Sequence, residues 1–105
     1  IHKLIENVVY LHLKIAGYKV FVGKEGEKEV DFVCQKEGER IYVQVAYLIS
    51  EQKTIDREFG NLLMIKDNYP KYVVSMDSVV GPNTYRGITQ MHVKDFCLKI
   101  LDGSL

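Results

Sequence analysis

Two long strand-forming runs joined by four polar residues constrain this chain more than any other feature. Glu29–Gln35 (EVDFVCQ) and Arg40–Ile49 (RIYVQVAYLI) flank Lys36-Glu37-Gly38-Glu39. β-Branched and aromatic side chains fit a pleated surface, and a glycine in the short connection supplies the positive φ of a tight turn. The pair reads as an antiparallel hairpin in which Lys36 faces Glu39, Cys34 faces Ile41 and Phe32 faces Val43. Continuing that register puts Asp31 opposite Gln44. Successive side chains alternate between faces. Val30, Phe32, Cys34, Ile41, Val43, Val45 and Tyr47 then form the main core face, and Asp31, Val33, Tyr42, Gln44 and Ala46 share the other.

The rest of the chain supplies layers for that hairpin. Leu4–Ala16 has helical periodicity, with Leu4, Val8, Leu11 and Ile15 as its stripe, widened by Ile5 and His12, and Gly17 as its stop. Tyr18–Val22 reads as a strand and Gly23–Gly26 as a turn. Ser50–Ile65 reads as a second helix with Ser50 as N-cap, Glu51 in the first turn, and Ile55, Phe59, Leu62, Leu63 and Ile65 inward. Asn68-Tyr69-Pro70 ends it. Tyr72–Met76 is a strand, Asp77–Gly87 a loop, Ile88–His92 a short strand and Val93–Leu101 a last helix with Val93, Phe96, Cys97 and Ile100 inward. The order α-β-β-β-α-β-β-α predicts an α/β domain: a mixed sheet flanked by helices.

Composition narrows the function classes. A length of 105 residues suits a single domain, and 47% apolar with 27% charged residues is ordinary globular usage. The formal net charge of zero argues against a domain that holds nucleic acid chiefly by neutralising phosphates. Cys34 and Cys97 each lie in an apolar run and read as small core residues of a reducing compartment. No stretch approaches the roughly 20 apolar residues of a membrane span, and no signal-peptide pattern is present. The expectation is a cytoplasmic protein with no membrane partner. Opening directly in helix-like sequence at Ile1, the chain reads as a piece of a longer polypeptide.

The residues that could carry chemistry are few. An acid between Val30 and Phe32 in a hairpin strand is costly unless it is hydrogen-bonded or used. Glu6 on the first helix, Asp31 and Gln44 together offer oxygen ligands of the kind that hard Mg²⁺ prefers, and a metal there would activate water and stabilise charge on a phosphate. The alternative is a structural polar pair of Asp31 and Gln44. His2, His12 and His92 lack metal-ligand spacing and read as solvated or half-buried. Tyr42, Tyr47, Tyr69, Tyr72 and Tyr85 read as packing residues with wet hydroxyls rather than base-stacking platforms. Arg57-Glu58, with Lys53, reads as a solvated helix face. No Gly-rich phosphate loop is present, so ATP has no site here.

Helix with acid, strand with acid, strand with acid-x-Lys, then helix and strand is the layout of PD-(D/E)xK nuclease-like domains, of restriction-endonuclease-like fold, and the chain resembles them. More narrowly, LIENVVYLHL from Leu4, EVDFVCQKEGERIYVQVAY over Glu29–Tyr47 and REFGNLLMIKDNYPKYVVSMD over Arg57–Asp77 resemble the C-terminal domain of unknown function (DUF4143) of prokaryotic AAA+ family ATPases. The resemblance implies an ATPase domain in the same polypeptide as partner. It matches Glu6 to the helical acid, Asp31 to the first strand acid and Gln44 to the second. It also exposes a departure: Gln44-Val45-Ala46 stands where acid-x-Lys belongs. Glutamine offers only a neutral carbonyl, and Ala46 offers nothing. Lys24, Lys28 and Lys53 are the lysines available as substitutes. The expectation is a non-catalytic accessory domain that binds a protein or nucleic-acid partner and holds no cofactor of its own. The alternative is a divalent-metal-dependent DNA nuclease that uses Mg²⁺ at Glu6, Asp31 and Gln44.

Overall fold

The computed structural model describes residues 1–25, 28–49, 52–78 and 83–105. Its elements run α1 (His2–Ile15), β1 (Lys19–Glu25), β2 (Lys28–Lys36), β3 (Glu39–Val45), α2 (Gln52–Leu63), β4 (Lys71–Ser75), β5 (Asn83–Tyr85), β6 (Ile88–His92) and α3 (Val93–Asp102). The six strands form one mixed sheet in the order β1-β2-β3-β4-β6-β5. β3, β4 and β6 are parallel neighbours, and the outer pairs are antiparallel. The fold is α/β, a mixed sheet flanked by helices.

The central hairpin has the expected register, with Lys36 opposite Glu39, Cys34 opposite Ile41 and Phe32 opposite Val43. Its turn places both Glu37 (φ 50°) and Gly38 (φ 83°) in the left-handed region. That is the two-residue turn whose twist matches that of the strands it joins. A second turn of the same kind, Arg86 (φ 51°) and Gly87 (φ 88°), joins β5 to β6. β5 is absent from the expected order, in which Asn83–Tyr85 falls inside the Asp77–Gly87 loop. It has only three residues, all exposed, so it carries no alternation of apolar and polar positions.

Both faces of the sheet are buried. Phe32, Cys34, Ile41, Val43, Val45 and Val74 pack under α1 and α3, around Val9, Leu13 and Phe96. Val33, Tyr42, Ala46, Val73 and Ile88 pack under α2, around Phe59 and Leu62. Val30 belongs to this second core, contrary to its expected place beside Phe32. The cause is a bulge. β1 pairs with β2 at Phe21–Val33 and at Gly23–Val30, so Asp31 and Phe32 together stand opposite Val22 alone. One extra residue reverses the alternation beyond it.

Three further expectations are corrected. β1 runs on to Glu25, through the segment read as a turn, of which Gly26 lies outside the described residues. β3 ends at Val45, and Tyr47 is exposed rather than core. β3 lies between β2 and β4. On α1 the buried residues are Ile5, Val9 and Leu13, whereas the expected stripe faces out: Leu4 is 64%, Leu11 56% and Ile15 72% exposed. The helix is apolar on two faces, and periodicity alone does not say which of them meets the sheet. The Ser50 cap, Glu51 and the Gly81-Pro82 turn fall outside the described residues.

Candidate functional site

The bulge sets the geometry around Asp31. The β2–β3 ladder reaches Phe32–Val43 and goes no further as a backbone pair. Beyond it, side chains bridge the two strands. The Asp31 backbone N–H donates to Gln44 Oε1 at 2.6 Å, and the Val45 backbone N–H donates to Asp31 Oδ2 at 2.7 Å. Asp31 and Gln44 are therefore coupled through the backbone, each side chain satisfying a strand amide on the other side of the gap. Buried amides left without a partner would each cost about 1–3 kcal/mol. Two polar residues inside strands thus close the ladder where the bulge opens it.

The Val45 peptide is held from both ends. Its carbonyl accepts a hydrogen bond from His2 Nε2 at 2.7 Å, across from α1. The same nitrogen lies 3.7 Å from Glu6 Oε2, one helical turn on. From the other side, α2 contributes Glu58, only 7% exposed, which accepts a hydrogen bond from Arg57 Nε at 3.0 Å. His2, Asp31, Gln44, Arg57 and Glu58, with Asn61, Val22, Gly23 and Val30, line an open cavity of about 560 Å³, and Glu6 stands beside it next to His2. Glu6, Asp31 and Gln44 are thus brought to one region, the first at the base of α1 and the other two at the split between the strands.

Electrostatics fit a carboxyl that is enclosed and short of positive charge. The Asp31 carboxyl is pushed up to about 6. Burial is the largest cause, opposed by the hydrogen bond from Val45, with Glu6 and Glu58 adding repulsion and His2 offsetting part of it. A bound cation would act in the opposite direction.

The side chains fit a divalent ion poorly. Gln44 Oε1 is turned back onto the Asp31 amide, and one Asp31 oxygen is committed to Val45. Ala46, at the position where the resemblance calls for lysine, is 3% exposed and packs under α2 beside Phe59 and Leu62. No group of three His, Cys, Asp or Glu side chains able to hold a metal occurs among the described residues. The side chains of Lys24, Lys28 and Lys53, the suggested substitutes for the missing lysine, lie outside the described residues.

The sequence reading of Glu58 as part of a solvated face is corrected. Glu58 falls on the Ile55–Glu58–Leu62 row, three- and four-residue steps that point at the sheet. That row was legible, and it identifies Glu58 as a buried acid. His2, read as solvated or half-buried, is about half exposed, and its place at the site was not foreseen: its ring bonds the Val45 carbonyl on β3. His12 bonds the Val8 carbonyl one turn back, and His92 caps α3 by accepting from the Lys94 amide. Tyr42 is fully buried and donates to Asp67, Tyr72 meets Phe96 edge-on, and Tyr85 packs on Phe59. Cys34 and Cys97 are buried and not disulfide-bonded, and burial pushes the Cys34 thiol up to about 12.

No family model matches the chain. A protein of Haemophilus influenzae (strain ATCC 51907 / DSM 11121 / KW20 / Rd) described as "Uncharacterized protein" is 40% identical over 95 residues. The match covers 90% of this chain and 23% of that protein, so the chain spans under a quarter of the relative's length. Among the described residues no helix is long and apolar enough to cross a membrane.

Proposed function

We propose that this chain is a nuclease-like domain of restriction-endonuclease type in which the metal and lysine positions have become structural. It serves as a non-catalytic accessory module, of the DUF4143 kind, in an AAA+ type ATPase of the cytoplasm. The observation that carries the reading is the reciprocal bonding of Asp31 and Gln44 to strand amides, with Ala46 sealed under α2. A hydrolytic site of this class needs a free acid pair and a cation that stabilises developing charge on the phosphate. Here one acid is an amide spent on the backbone, and the cation is a buried methyl. The short share of the relative's length covered by the match supports a domain set in a longer polypeptide. Zero net charge favours a protein partner over the phosphate backbone.

The test has two parts. Purified chain incubated with labelled duplex DNA and Mg²⁺ or Mn²⁺ is expected to leave the DNA intact. Cleavage abolished by Asp31→Ala in a folded variant would overturn the reading. In a longer ATPase polypeptide, deletion of the domain is expected to change ATPase rate or partner capture, and no effect on either would remove the accessory role.

A further inference from the structure

The outer face of α1 carries an aliphatic row that no described residue covers. Ile1, Leu4, Val8, Leu11 and Ile15 are spaced alternately by three and four residues along the whole helix, and all are exposed. This is the spacing of a helix–helix seam, in which each side chain seats between residues of a facing helix. Buried contacts with the sheet do not require it, since Ile5, Val9 and Leu13 already make them from the other side. Exposed leucines scattered singly need no explanation, whereas a continuous row marks an interaction surface.

The rim of the row is basic. Lys3 and Lys14 are exposed on one flank and His12 lies on the other. The one acid of α1, Glu6, is turned away, toward His2 and the Asp31 cavity. On α3, packed beside α1, Lys94 and Lys99 are balanced by Asp95 and Asp102, so that helix does not cancel the rim. A second copy of α1 laid antiparallel would bring Lys14 against Lys3, which disfavours self-pairing.

We propose that this face docks an amphipathic helix of a partner, one with aliphatic residues at alternating three- and four-residue spacing and acidic residues on its flanks. The surface lies on α1 and does not depend on how the Asp31 cavity is read.

The probe is a designed multi-heptad peptide with Leu at the seam positions and Glu on both flanks, compared with the same peptide carrying Lys on the flanks. Isothermal titration is expected to give a dissociation constant below about 100 µM for the Glu peptide, at least about tenfold weaker for the Lys peptide. Binding should vanish in Leu4→Ser/Leu11→Ser, two exposed positions, with circular dichroism reporting that the fold persists. Equal affinity for the two peptides, or no binding of either, would overturn the proposal. So would binding to phosphatidylserine vesicles in place of peptide, or a concentration-dependent dimer removed by the double substitution.

Discussion

At the scale of single residues, Asp31 is the most informative position. Its carboxyl accepts from Val45 while its own amide is held by Gln44, so shape and charge can be separated by mutation. Asp31→Ala strands the Val45 amide and is expected to cost about 1–3 kcal/mol. Asp31→Asn keeps an acceptor and removes the penalty of an enclosed charge. At pH 7.5 it is expected to be neutral or to stabilise by on the order of 1 kcal/mol, allowing for solvent screening at a partly exposed site. Urea unfolding of both variants checks this, and equal destabilisation would contradict it. The pH dependence has a definite sign. The folded carboxyl titrates near 6 and the unfolded one near 3.8, so the folded state holds the proton more tightly. The Asp31 contribution therefore falls as pH rises from about 4 to about 6 and is level beyond. That slope should be absent in Asp31→Asn. The sequence marked Asp31 as anomalous because an acid in an apolar strand must be satisfied or used. It also named Gln44 as partner. It did not reveal the bulge, since nothing in EVDFVCQ distinguishes a regular strand from one with an extra residue.

At the scale of elements, the hairpin turns make a sharper test of how local sequence sets conformation. Glu37 and Arg86 occupy left-handed φ values that L side chains avoid, each preceding a glycine that adopts them freely. Asn tolerates this region better, so Glu37→Asn and Arg86→Asn are each expected to stabilise by roughly 0.5–1 kcal/mol. Midpoints of urea unfolding should rise for both, and a fall in either would mean that the original side chain makes a contact worth more than the strain. The same turns show what was legible. Glu37-Gly38 lies between two strongly patterned strands and announces a hairpin. Arg86-Gly87 has the same form, but its first strand is three exposed residues, too short to signal itself. For α1 the periodicity was clear while the direction was not. Both helix faces are apolar, and only the packing against Phe32, Cys34 and Val43 selects the one carrying Val9 and Leu13.

At the scale of the whole molecule, a sheet buried on both sides carries an opening at the split between β2 and β3. The base of α1 and the middle of α2 flank it and bring in His2 and Glu58, with Glu6 beside His2. The topology was readable from the alternation of elements, and the acids from their cost. The burial of Glu58 required seeing that its helical row points inward. Under the proposed function, Asp31 and Gln44 are clasped to strand amides instead of holding a metal. Carbon-13 NMR of the Asp31 carboxyl, titrated with pH in the presence and absence of Mg²⁺, tests it most directly. A midpoint near 6 that Mg²⁺ leaves unchanged is expected. A midpoint driven down by Mg²⁺, with Mn²⁺ broadening centred on Asp31, Gln44 and Glu6, would contradict it.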